Sequence, residues 1–103
     1  MILEKATLYV KEEEREKFEK DFVKASDYIS SIEGYHGHSL HSCVEIVNKY
    51  LLLVSWNDIE SHEINFRTSE EYQRWKKLLH HYYDPFPVVE HYKVVFENKL
   101  ENE

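Results

Sequence analysis

Apolar residues in this chain recur with two different spacings, and the order in which those spacings alternate leaves few folds open. From Ile2 to Val10 the period is two: Ile2, Glu4, Ala6, Leu8 and Val10 face one way, and Leu3, Lys5, Thr7 and Tyr9 the other, as in a strand. The period then lengthens. Glu12, Glu13 and Glu14 place negative charge where a helix start is electropositive, and Phe18, Phe22, Ala25, Ile29 and Ile32 follow on one helical face. Gly34 comes just after this stripe, where a left-handed residue commonly closes a helix because glycine has no Cβ to clash. Alternation returns over His38 to Ile46. The turn Val47-Asn48-Lys49 then leads directly into Tyr50 to Trp56, which predicts a hairpin.

Asn57 with Glu60 reads as a capping box that opens a short helix near Asp58, and Thr68 with Glu71 as a second box that opens a longer one. In the longer helix Tyr72, Trp75, Leu79 and Tyr82 or Tyr83 share a face, and Pro85 and Pro87 end it. Val88 to Phe96 alternates as a fourth strand, and a charged tail follows over 97–103. The order β-α-β-β-α-β with short connections predicts an α+β ferredoxin-like fold, a four-stranded antiparallel sheet with both helices on one face. At 103 residues the chain is expected to be one domain with its core in 2–96.

The second face of that sheet is the informative one. Leu51 and Leu53 point opposite to Tyr50, Leu52, Val54 and Trp56, and Tyr92, Val94 and Phe96 point opposite to Val89 and Val95. A face open to water should be polar, so the pattern predicts that a second copy covers it, giving a homodimer through the sheet face.

Composition narrows the partners. Twenty acidic against thirteen basic side chains give a net charge of -7, which opposes attraction to nucleic acid or to anionic lipid. The longest apolar run, Tyr50 to Val54, is far short of the roughly 20 residues of a membrane span. Cys43 is the only cysteine, and the N-terminus lacks the basic-then-apolar pattern of a signal peptide, so a cytoplasmic location is expected. Two glycines leave no room for a phosphate-cradling loop, a nucleophile elbow or a dinucleotide fingerprint.

Among the seven histidines, His36, His38 and His41 lie closest together in sequence, but His41 would point opposite to His36 and His38, and no metal is expected there. His62 falls three residues after Ile59 and four before Phe66, on the inward face of the short helix, where an imidazole can exchange protons near neutral pH or simply bond a backbone carbonyl. His80 flanks the apolar face of the later helix, whereas His81 turns to solvent. Tyr72, Trp75, Tyr82, Tyr83, Phe86 and Tyr92 are core aromatics or the wall of a pocket for an aromatic ligand. Arg67 either offsets the charge of an anionic ligand or is a surface residue. Cys43 is expected to be an inert, buried, mid-strand thiol.

Leu51-Leu52-Leu53-Val54-Ser55-Trp56, the turn Asn57-Asp58, and His62, Phe66-Arg67, Ser69, Tyr72 and Trp75 resemble the antibiotic biosynthesis monooxygenase domain family. The resemblance covers roughly residues 2–96, and His80-His81-Tyr82-Tyr83-Asp84-Pro85-Phe86-Pro87 is similar to one subgroup of that family. It implies a dimeric α/β barrel with a pocket between sheet and helices in each subunit. Some members oxidise polycyclic aromatic quinols with O2 and no metal or flavin, others degrade heme, and many have no demonstrated activity. The heme-degrading pattern is not matched: the first strand offers Lys5, Ala6 and Thr7 where an asparagine is expected, Phe66 stands at the tryptophan position and Lys76 near that of the histidine.

These readings converge on a cofactor-independent monooxygenase for a small phenol or quinol. His62 is expected as the base, Tyr72 or Tyr83 as the hydrogen-bond donor, and Trp56, Phe66, Arg67, Trp75, His80 and Phe86 as substrate contacts. The alternative is a non-catalytic module that holds a hydrophobic metabolite in the same pocket, or, more remotely, a heme-binding relative.

Overall fold

Strict alternation produces the first strand, β1 (Ile2–Tyr9), whose Glu4, Ala6 and Leu8 are buried on one face. The computed structural model describes residues 1–100, and residues 101–103 of the expected charged tail lie outside the described residues. A single 3-10 turn (Glu12–Glu14) then runs into helix α1 (Arg15–Ser30), which buries the Phe18, Phe22, Ala25 and Ile29 stripe. Strands β2 (Tyr35–Ser42) and β3 (Lys49–Trp56) follow, then a π-helical turn (Ser61–Phe66), helix α2 (Glu70–Leu79), a 3-10 turn (His80–Tyr82) and β4 (Val89–Tyr92).

The four strands form one sheet in the order β2-β3-β1-β4, every neighbouring pair antiparallel. This is the predicted ferredoxin-like arrangement, with the helices on one face. Their apolar stripes meet Ala6, Leu8, Leu52 and Val54 in a single buried cluster. Two tyrosines tie α1 to its neighbours through their polar tips. Tyr50 donates to Glu19 and Tyr82 to Asp21, both at 2.6 Å, so each ring is buried without stranding its hydroxyl.

Several boundaries differ from the sequence expectation. β2 starts and ends earlier than His38 to Ile46, because its register with β3 pairs Tyr35 with Trp56 and Ser42 with Tyr50, leaving 43–48 as the connecting loop. Cys43 therefore lies just past the strand, partly exposed, with Sγ 3.6 Å from Glu45 Oε1. β4 ends at Tyr92, not Phe96: Tyr92 already pairs with Leu3, so β1 has almost no residues left to partner a longer strand, and Val94, Val95 and Phe96 are exposed.

Neither expected capping box forms, since Asn57 N–H donates to Gly34 and Thr68 N–H to Ile64, and both helix caps fall one residue later. Asp58, not Asn57, accepts from the backbone and the hydroxyl of Ser61, at 2.8 and 2.6 Å. Ser69, not Thr68, caps α2 by accepting from Tyr72 N–H at 3.0 Å, while Thr68 Oγ1 bonds back to Ile64. Ile59 is exposed and does not join the inward stripe.

Gly34 has the expected left-handed backbone but does not close α1: the helix ends at Ser30 with Ser31 as its C-cap, and Gly34 lies in the turn that leads into β2. Its φ is +94°, and its carbonyl accepts from Asn57 N–H at 2.7 Å, which joins that turn to the end of β3. A Cβ there would lie 2.0 Å from Ser61 Oγ, so side chain and backbone conformation are both excluded. Gly34→Ala is expected to lower unfolding free energy by about 2 kcal/mol or more, the left-handed penalty plus the clash. Gly37, with open space where its Cβ would go, should tolerate alanine to within about 0.5 kcal/mol. Urea titration of the two variants checks the contrast, and equal losses would remove the role assigned to Gly34.

Candidate functional site

Alternation along β1 brings Glu4 to the helix side of the sheet together with Ala6, Leu8 and Val10. A carboxyl group there loses its water and needs a donor in exchange. Trp56, fully buried at the end of β3, supplies one: its Nε1–H donates to Glu4 Oε1 at 2.8 Å. Burial still dominates and raises the Glu4 pKa to about 7, against the lowering effect of the Trp56 hydrogen bond and of the Arg67 guanidinium.

The π-helical turn carries the neighbours of Glu4. Arg67 N–H reaches back five residues to the His62 carbonyl at 3.2 Å, and the widened turn brings His62 and Phe66 inward, with Arg67 following them. The His62 ring is stacked on the Trp56 indole, with centroids 5.5 Å apart and planes 17° from parallel. Its Nε2 is 3.4 Å from Glu4 Oε1, and its Nδ1 is 2.8 Å from His91 Nε2. Burial, followed by the positive charge of Arg67 and of His91, pulls the His62 pKa down to about 3. The imidazole is therefore neutral at neutral pH, and its approach to Glu4 is not an ion pair despite the short distance.

Glu4 and His62 open onto a cavity of about 110 Å3 between the sheet and the two helical segments. Phe66, Arg67, Tyr72, Trp75, His80, Tyr83 and Phe86, all expected site residues, line this one cavity. Trp56 stands behind His62 and does not reach the cavity itself. Phe86 sits at the rim, 64% exposed, edge-on to His80 at 5.1 Å. Burial lowers the His80 pKa to about 4, with Lys76 and Arg67 contributing, so this ring is also neutral. The Tyr83 hydroxyl is pushed up by burial and by the nearby Glu4. Arg67 is more than a surface residue, since its Nε is buried beside the cavity with no partner among the described residues. Its Nη1 lies 3.5 Å from Glu63.

The remaining histidines stay apart. His38 turns toward α1, bonded to Ser26 Oγ at 3.0 Å and to the Tyr35 hydroxyl, whereas His36, His41 and His81 are exposed. Sequence reasoning missed the roles of Glu4 and His91. The signal for Glu4 was its place in the inward-facing set of β1. His91 pairs with Glu4 in register, so it could be found only once β4 was aligned against β1.

The raised Glu4 pKa makes stability depend on pH. Between about 4.5 and about 7 the unfolded chain gives up this proton and the folded one keeps it, so stability falls as pH rises through that window. The full cost, reached above the folded pKa, is about 3 kcal/mol at roughly 1.4 kcal/mol per pK unit. Glu4→Gln cannot ionise, so with EDTA present its stability relative to the parent should climb by about 2–3 kcal/mol between about pH 5 and pH 8 in urea titrations. A constant difference across that range would show that Glu4 ionises like an exposed carboxyl.

Comparison with known proteins gives a consistent set of relatives. A family model described as antibiotic biosynthesis monooxygenase matches residues 1–78. YczJ, an uncharacterized protein of Bacillus subtilis (strain 168), is 50% identical over 95 residues, spanning 92% of this chain and 100% of that protein. A crystal structure from Bordetella bronchiseptica, provisionally assigned as an antibiotic biosynthesis monooxygenase, matches with a TM-score of 0.88 at 30% identity, over 92% of this chain and 97% of that one. SnoaB, a cofactor-independent oxygenase from Streptomyces nogalater, matches with a TM-score of 0.68 at 15% identity, over 97% of this chain and 96% of its own, which is a likeness of fold.

Proposed function

This chain belongs to the antibiotic biosynthesis monooxygenase family, and on that premise we propose that it is a cofactor-independent monooxygenase for a single-ring phenol or quinol. The observation that carries this reading is Glu4, a buried carboxyl with a pKa of about 7 that opens onto an aromatic-lined cavity beside a neutral His62. A base poised near neutrality is what removal of a phenolic proton requires.

In the proposed reaction the Glu4 carboxylate takes the phenolic proton, with His62, stacked on Trp56, holding its position. The resulting phenolate passes an electron to O2, and radical recombination forms a carbon–oxygen bond at the ring. Glu4 returns its proton to the resulting peroxide, and loss of water, which takes the hydrogen of that ring carbon, leaves a quinone, so that phenol plus O2 gives quinone plus water with the carboxylate regenerated. Tyr72 or Tyr83 would hydrogen-bond the substrate oxygen, and Arg67 would offset the phenolate charge. Phe66, Trp75 and Phe86 would form apolar walls, with His80 at one side. At about 110 Å3 the cavity is smaller than the roughly 150 Å3 apolar protein cavity known to hold benzene, which limits the substrate to one ring, with any substituents extending past the exposed Phe86.

Oxygen uptake with a panel of single-ring quinols is expected, and both Glu4→Gln and His62→Ala should slow it about 100-fold or more. Uptake at the parent rate in both variants would remove the assignment. A second reading, a binding module without turnover, is favoured by the low His62 pKa, which makes that ring a hydrogen-bonding group and a poor base. It predicts quenching of tryptophan fluorescence by the same quinols with no oxygen consumed.

The same proposal includes a homodimer through the outer sheet face. Leu51 and Leu53 lie there, opposite the buried Leu52 and Val54, beside Leu3 and Tyr92, which are 36% and 43% exposed. Burying such a face is worth about 25 cal/mol per Å2 of apolar area. Light scattering should give twice the mass of one chain at micromolar concentration, and Leu53→Lys should shift it toward a single chain. A monomeric parent protein would rule the dimer out.

A further inference from the structure

We propose that His62, His91 and Glu63 form a binding site for one first-row divalent transition-metal ion, of the Zn2+ or Co2+ type, where His62, itself part of the cavity wall, meets two residues that do not line the cavity. It uses the face of His62 turned away from Glu4 and does not depend on the oxygen chemistry above.

The geometry carries the argument. His62 Nδ1, His91 Nε2 and a Glu63 carboxylate oxygen all lie within 4.8 Å of one another. The two imidazole nitrogens are 2.8 Å apart, and His91 Nε2 is 3.9 Å from Glu63 Oε1. Ligand atoms held about 2.1 Å from a shared ion stand about 3–3.5 Å from each other, so shifts of less than about 1 Å would seat a metal here. Two ring nitrogens aimed at each other must share a proton or a cation between them. Two imidazoles and one carboxylate suit zinc, cobalt, nickel or copper better than calcium or magnesium, which prefer all-oxygen sets.

The surroundings fit the same role. His62 is fixed by its stacking on Trp56, and His91 by the pairing of β4 with β1. The Glu4 carboxyl beside Nε2 favours the tautomer that keeps its proton on that nitrogen, which leaves the Nδ1 lone pair free to ligate. A carboxylate behind a metal-bound histidine is the usual supporting arrangement, and Trp56 in turn fixes this carboxylate. Arg67 opposes a cation, but it approaches Glu63 through Oε2, leaving Oε1 to face His91. The side chain of Glu63 is 40% exposed, so water can complete the coordination.

The test is titration of the EDTA-treated and desalted full chain with Co2+, followed by visible absorption and by displacement with Zn2+. One equivalent per chain is expected, and His91→Ala and Glu63→Gln should each weaken binding at least tenfold. His36→Ala, at an exposed histidine of β2, should leave it unchanged. Glu63→Gln replaces a half-exposed side chain with an isostere and keeps the test decisive should His91→Ala fold poorly. Binding of less than a tenth of an equivalent, or Glu63→Gln and a folded His91→Ala within twofold of the parent, would overturn the proposal.

Discussion

The hydrogen bond from Trp56 to Glu4 joins residues 52 positions apart, and the inner end of the cavity is organised around it. A bond to an ionised group contributes about 1.5–3 kcal/mol, while stripping water from a carboxylate costs several kcal/mol, so one donor cannot keep the acid fully ionised. The result is a carboxyl poised near neutrality. The same indole presents its face to His62, so a single side chain both satisfies the acid and orients the ring next to it. Trp56 can do this because β3 pairs directly with β1, which places the end of one strand against the beginning of the other.

Much of this architecture was legible in the sequence. The order of strands and helices follows from the change of apolar period, and the left-handed backbone of Gly34 was readable from its place after the α1 stripe. What escaped was set by pairing rather than by local pattern. Val94, Val95 and Phe96 alternate like strand residues, but the end of β1 decides where β4 stops. The caps at Asp58 and Ser69 each had a competing polar residue one position earlier, and only the backbone path chooses between such neighbours.

The candidate site was legible in a different way. His62 stood out as a polar residue on an apolar face, and the aromatics of the later helix could be assembled around it by helical spacing. Glu4 obeyed the same logic and sat in full view in the inward set of β1. A carboxylate on an apolar strand face reads as surface charge until a donor is placed opposite it, and that donor lay across the sheet. The π-helical turn was not readable at all. Its extra residue is a small backbone adjustment, yet it sets how His62, Phe66 and Arg67 share the wall of one cavity.

The segment between the 3-10 turn and β4 is fastened at both ends to the strand that carries Glu4. Asp84 N–H donates to the Tyr9 carbonyl at 2.9 Å, and Val89 pairs with Ala6. The residues between them supply Phe86 and Pro87 to the cavity rim. A loop moored in this manner can gain or lose residues without disturbing its anchorage. Related chains could thus widen or narrow the entrance by insertion alone, and so accept molecules of other sizes while the acid and its indole stay where they are.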